Sequence, residues 1–261
     1  MSSAEDVSTN LPVPDAPLQP MGYSVGVHFH EPLKLLPKNG LQFANKLADY
    51  IDPRGVMVKD DAWIFAQPAG DSAASSLQVV VRQATVEMEA RYPTDSLEWF
   101  ETRFRDILKV FCNTFHPTWL LASSAKVFGT IPIDGDARAF LCEHVAKMND
   151  RLAPLGRPLH LFGIRMALPA CELRAPPKGK GKKPGKLLNR FDWTLELKAE
   201  SLFADPTKVY LEAMGQWQAE SPKPWNEPAI QEVVGHLAIL SLYVKDNLIP
   251  ILRTKPNSKG E

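Results

Sequence analysis

The cleanest alternation of apolar and polar residues lies between Ala84 and Tyr92. There Ala84, Val86, Met88, Ala90 and Tyr92 interleave with Thr85, Glu87, Glu89 and Arg91. A period of two puts one set on a buried face and the other in water, the mark of an antiparallel strand covered on one side. The pattern recurs at Tyr23–Phe29, where Val25, Val27 and Phe29 share a face, and at Phe191–Ser201, where Phe191, Trp193, Leu195, Leu197 and Ala199 do. Val56–Val58 and Ala62–Ala66 read as a hairpin turned by Lys59-Asp60-Asp61. Trp119–Ile133, Leu159–Leu168 and Val209–Trp217 supply further strands.

Helical spacing separates these segments. Leu97, Phe100, Phe104, Ile107, Leu108, Phe111 and Phe115 recur at threes and fours. Asp95 with Glu98 reads as their capping box, and Pro117 ends the run. A shorter helix starts at Asn39 and carries Leu41, Phe43, Leu47 and Tyr50. Another follows the turn Asp134-Gly135, capped by Asp136 and running through Phe140, Leu141, Val145, Met148 and Leu152. Ile230–Leu252 closes the chain as a long helix.

Strands outnumber helices, and several are joined by turns too short for helical crossovers. The expected fold is therefore α+β, a mostly antiparallel sheet with one face covered by three to four helices. The order also fits two similar β-β-α halves, about 21–133 and 134–253, within one domain spanning 21–253. Residues 1–20, with Pro12, Pro14, Pro17 and Pro20, read as a disordered arm, and 254–261 as a flexible tail.

Composition narrows the class. The chain has 261 residues, 44% hydrophobic and 23% charged, with 30 basic and 30 acidic side chains. That balance leaves no overall field to draw it onto nucleic acid or an acidic membrane. The apolar run Leu237–Val244 falls far short of a bilayer span of roughly 20 residues. Cys112, Cys142 and Cys171 match neither a disulfide framework nor a paired metal motif. A soluble, cytoplasmic protein is expected.

Candidate chemistry is sparse. Ala170–Asn189 includes the tract Arg174–Lys186, rich in Lys, Gly and Pro, and reads as a basic disordered loop over 170–189. Lys178, Lys180, Lys182, Lys183 and Lys186 could hold phosphates or another acidic partner. No aromatic residue lies among them to stack on bases, so nucleic acid is not the favoured partner. His28 and His30 sit two apart on a strand and are weak metal candidates, since a site needs a third ligand and usually a fourth. Gly70-Asp71-Ser72 lacks the surroundings of a nucleophile elbow. The carboxylate pairs Glu87 with Glu89, and Glu196 with Glu200, alternate on solvated strand faces. No catalytic residue and no cofactor is assigned.

One positive signal remains. Apolar residues surround the C-terminal helix more fully than a one-sided helix needs. The stripe Val233, Leu237, Leu240, Val244, Leu248 and Ile251 suffices to cover a sheet, leaving Ile239, Leu242, Tyr243 and Ile249 in need of cover. The expectation is a non-enzymatic protein–protein interaction module that meets another protein or a second copy through those residues. The alternatives are an enzyme or small-ligand binder with a pocket between sheet and helices, and a protein that meets nucleic acid through its lysine-rich loop.

Overall fold

A computed structural model describes residues 17–51, 55–59, 62–67, 76–93, 95–152, 154, 157, 159–175 and 187–253. The fold is α+β. Among these residues a nine-stranded, fully antiparallel sheet runs in the order β2-β3-β4-β5-β1-β6-β11-β10-β7, beside a separate hairpin of β8 and β9. The first strands are β1 (Gln19–Phe29), β2 (Gly55–Lys59), β3 (Ala62–Gln67), β4 (Ser76–Arg82) and β5 (Thr85–Arg91). The rest are β6 (Trp119–Pro132), β7 (Gly163–Leu168), β8 (Cys171–Arg174), β9 (Leu187–Phe191), β10 (Thr194–Ser201) and β11 (Lys208–Pro224).

The central pair is β1 and β6, and the sheet grows outward from each in the same way. From β1 the chain passes through helix α1 (Pro37–Leu47) and returns by β3, β4 and β5 to pair with β1. Helix α2 (Leu97–Phe115) then follows. From β6 it passes through the short helix α3 (Ala137–Ala139) and returns by β7, β10 and β11 to pair with β6. Helix α5 (Glu227–Tyr243) then follows. The order strand, helix, three strands, helix thus occurs twice, with β2 added to the first run and the β8–β9 hairpin inserted in the second. In this order β6 opens the second run.

The inward row is largely apolar, with Ser123 and Ser201 as buried polar exceptions. Val25 on β1 lies beside Met88 and Ala125, and Val127 on β6 lies beside Ala213. All of these are buried. Aromatic contacts tie this row to the helices: Tyr23 meets Phe100 at 5.8 Å, Phe29 meets Phe111 at 5.5 Å and Trp63 meets Phe115 at 6.0 Å. The opposite row is polar and internally paired. Ser24 donates to Glu87 at 2.8 Å, Lys126 and Arg91 contact Glu89, Arg165 contacts Glu196, and Lys198 lies 2.9 Å from Glu200. The carboxylate pairs noted in the sequence therefore stand in ion pairs or hydrogen bonds.

Several elements differ from their sequence reading, each for a local reason. Residues 18–20 were read as part of the arm, yet β1 starts at Gln19, and a register shift between Pro20 and Gly22 accommodates the missing proline N–H. The cap of α2 is Ser96, whose Oγ accepts from the Trp99 N–H at 3.2 Å, in place of Asp95. The helix expected over 137–152 is broken. After α3 a π-helical stretch spans Phe140–Val145, and Lys147 turns left-handed (φ 53°) before the short α4 (Asn149–Leu152). The ends of the 170–189 stretch, read as loop, pair as β8 and β9, because Cys171-Glu-Leu-Arg and Leu187-Leu-Asn-Arg-Phe supply strand partners on either side of the lysines.

The final helix also changes phase. A π-helical turn at Val244–Leu248 lets the Ile249 N–H reach back five residues to the Val244 carbonyl, and α6 (Ile249–Arg253) follows. Pro250, with no N–H to give, sits just beyond that turn. The extra residue rotates the stripe, so Ile249 and Leu252 are buried and Ile251 is exposed.

Close strand approach makes one glycine indispensable. A Cβ on Gly129 would lie 2.3 Å from the Gln19 carbonyl oxygen across the β1–β6 pair. A backbone atom cannot swing aside, so Gly129→Ala is expected to cost about 1–3 kcal/mol, read as a lower chemical-denaturation midpoint. An unchanged midpoint contradicts this packing of the central pair.

Candidate functional site

The sequence-derived candidates separate in space. His28 and His30 are both exposed, and Glu31 accepts from the Thr118 hydroxyl at 3.0 Å. Among the described residues no three His, Cys, Asp or Glu side chains come together as metal ligands. The lysines at 178, 180, 182, 183 and 186 and the Gly70-Asp71-Ser72 triplet lie outside the described residues. Burial pushes the thiols of Cys112 and Cys142 above their ordinary pKa, and Cys112 accepts a contact from the Trp225 indole N–H. Among the described residues no helix is long and apolar enough to cross a membrane.

The four residues singled out on the last helix divide evenly. Ile249 is 6% exposed, and Tyr243 packs edge-on against Trp193 at 5.5 Å, so the fold itself covers them. Ile239 and Leu242 remain 48% and 57% exposed. They stand three residues apart and so share one face of α5. Gly235, one turn earlier, meets open space where a side chain would be. Apolar exposure continues on β7, the last strand of the sheet, at Met166 and Leu168. Leu168 pairs with Leu195 of β10, two residues from Trp193, so the two patches flank the Tyr243–Trp193 contact.

A second feature was not visible in the sequence. Between β6, β11 and α5 lies a cleft of about 550 Å³, whose lining includes Ser123, Trp217 and His236. It opens where β11 leaves its partner. Gln218 pairs with Ala122, but the next partner of β6 is Lys223, so residues 219–222 bulge outward. Pro222, which has no ladder donor to offer, lies within that bulge.

Two aromatic rings, Trp217 and His236, line the cleft. Register places Trp217 of β11 beside Ser123 of β6 on one side, and next to the end of β10 on the other. Trp193 stacks on Trp217 at 5.1 Å, and His236 stacks on it at 4.0 Å with the planes 2° apart. Gly215 makes room for this stack, since a Cβ there would lie 2.5 Å from the Trp217 ring. Ser123, small among inward-facing residues, leaves space for the imidazole to descend from α5.

Ser123 Oγ and His236 Nδ1 are 2.9 Å apart, with the two residues 3% and 5% exposed. We assign the serine as donor and Nδ1 as acceptor, which places the proton of the neutral ring on Nε2. Burial lowers the His236 pKa from 6.5 to about 4, which keeps the ring neutral near pH 7. The pair resembles a nucleophile and its base, but Ser123 lies mid-strand with β1 and β11 paired on either side. Its own backbone groups are committed to the ladder. The contact ties the imidazole of α5 to the inward face of β6.

No protein-family model matches the chain, and no curated protein matches it as a relative.

Proposed function

We propose that the chain is a non-enzymatic protein–protein interaction module, an adaptor or accessory subunit that meets another protein or a second copy through the outer face of α5. The observation that carries this reading is the joint exposure of Ile239 and Leu242 on that face. Large apolar side chains clustered in water mark binding surfaces more often than they serve a monomer. The apolar residues of β7 extend the surface. A cytoplasmic setting, inferred from the cysteine pattern, accompanies this reading.

The test replaces Ile239 with Lys and Leu242 with Glu together. Both side chains are half exposed, so the fold should keep its stability to within about 1 kcal/mol. Molecular mass in solution should fall to that of the monomer, or a copurifying protein should be lost. Global unfolding, or an assembly state unaltered by the charges, rejects the reading.

A further inference from the structure

The cleft at the β11 bulge has no part in the proposed α5 interface, and its chemistry points to a small ligand. Its lining includes the buried His236. Nδ1 of His236 is taken by Ser123, and Nε2–H has no hydrogen-bond partner among the described residues. A buried N–H on a neutral ring calls for an acceptor such as a carboxylate or carbonyl oxygen.

The rim carries both signs of charge. Lys223 lies 3.1 Å from Glu232, Arg190 contacts Asp192, and Glu220 belongs to the same lining. Two positive groups against three negative ones, with His236 neutral, leave one net negative charge. Such a rim repels polyanions, so phosphates and nucleotides are poor occupants. Trp217 offers no free ring face either, because Trp193 and His236 cover it, and a planar base has nothing to stack upon. A molecule with separated positive and negative ends satisfies both parts of the cleft.

We propose that this cleft binds a short free peptide of two or three residues as a zwitterion. The C-terminal carboxylate accepts from His236 Nε2–H and approaches Lys223, whose ammonium has donors beyond its single carboxylate contact. The N-terminal ammonium lies toward Asp192 and Glu220. The cleft's volume falls within the range of about 300–1,000 Å³ usual for small-molecule sites.

The experiment is calorimetric titration of the full chain with tri-alanine, tri-alanine amide, N-acetyl-tri-alanine and inorganic phosphate. Tri-alanine should bind, and capping either end should weaken it at least about tenfold. Phosphate should give no saturable heat. The double variant Ser123→Ala, His236→Phe removes both hydrogen-bonding partners while keeping a ring on Trp217, and should lose at least about tenfold in affinity. Lys223→Met, at a rim position that cannot unfold the sheet, should weaken the free acid while leaving the amide unchanged. The Ile239→Lys, Leu242→Glu variant should bind tri-alanine like the parent, which separates this site from the α5 interface. No saturable binding of tri-alanine, equal binding of acid and amide, or full affinity in the folded double variant overturns the proposal.

Discussion

Replacing Phe111 with alanine is expected to leave the protein barely folded or unfolded at ambient temperature. Phe111 has no exposed surface and stands at the centre of an aromatic cluster. It stacks on Phe29 of the central strand at 5.5 Å, and meets Phe115 at 4.9 Å and Phe43 at 6.0 Å. Phe43 in turn meets Phe65 of β3 at 5.1 Å, so one ring links two helices to two strands. Truncating a buried Phe costs about 3–5 kcal/mol, because the cavity adds to the lost transfer energy. Whole domains are stable by only about 5–15 kcal/mol. Denaturation with urea should show the loss directly, and Phe111→Leu should recover most of it. A cost below about 1 kcal/mol for Phe111→Ala would mean that the rings are not packed together as described.

Phe111 was legible in the sequence because its helix obeys a single period from Leu97 to Phe115. The same holds for β5, whose buried and half-exposed residues alternate without a break. Pattern reading fails where two periods overlap or a turn changes phase. The sequence does not announce strand β4, because Val79, Val80 and Val81 are consecutive and all three are buried, with no alternation. The final helix was read with one continuous stripe, but the π-helical turn at Val244–Leu248 exchanges Ile251 for Ile249 on the inner side. Ile249, expected from sequence to need cover, is therefore covered by the fold itself.

The cleft could not be found by spacing, since Ser123 and His236 are separated by 113 positions. A weaker signal did exist. Ser123 occupies an inward position of a strand whose next inward residues are Ala125 and Val127, and His236 sits beside Leu237 on the buried side of α5. Each is a polar residue on an apolar face, where an unpaired group is costly. Each such violation calls for a partner or a ligand, as Thr114 and Ser201 find in backbone carbonyls. The sequence does not reveal the bulge of residues 219–222, which opens the cleft, because Ala219-Glu220-Ser221-Pro222 reads equally well as the end of a strand.

Stability should fall steeply as pH drops from about 6.5 toward 4, with His236 the main cause. The ring's pKa is 6.5 when free and about 4 when folded, lowered first by burial and further by Lys223, while Glu232 opposes the shift. Between those values the unfolded chain binds a proton that the folded chain refuses, so acid favours unfolding. The stability is complete above about 6.5, and its loss levels off once both states are protonated below about 4. The difference is on the order of 3 kcal/mol for a group 5% exposed. Arg190, Asp192 and Glu220 also line the cleft. Glu101 acts in the opposite direction: burial raises its pKa, so protonation in mild acid favours its folded form. Comparing the parent with Ser123→Ala, His236→Phe isolates the histidine, because Glu101 is common to both. Urea denaturation at pH 7.5 and at pH 5 should show a drop in the parent that is largely absent in the double variant. Equal drops in the two proteins would place the acid sensitivity elsewhere and would contradict a buried, neutral imidazole held by Ser123.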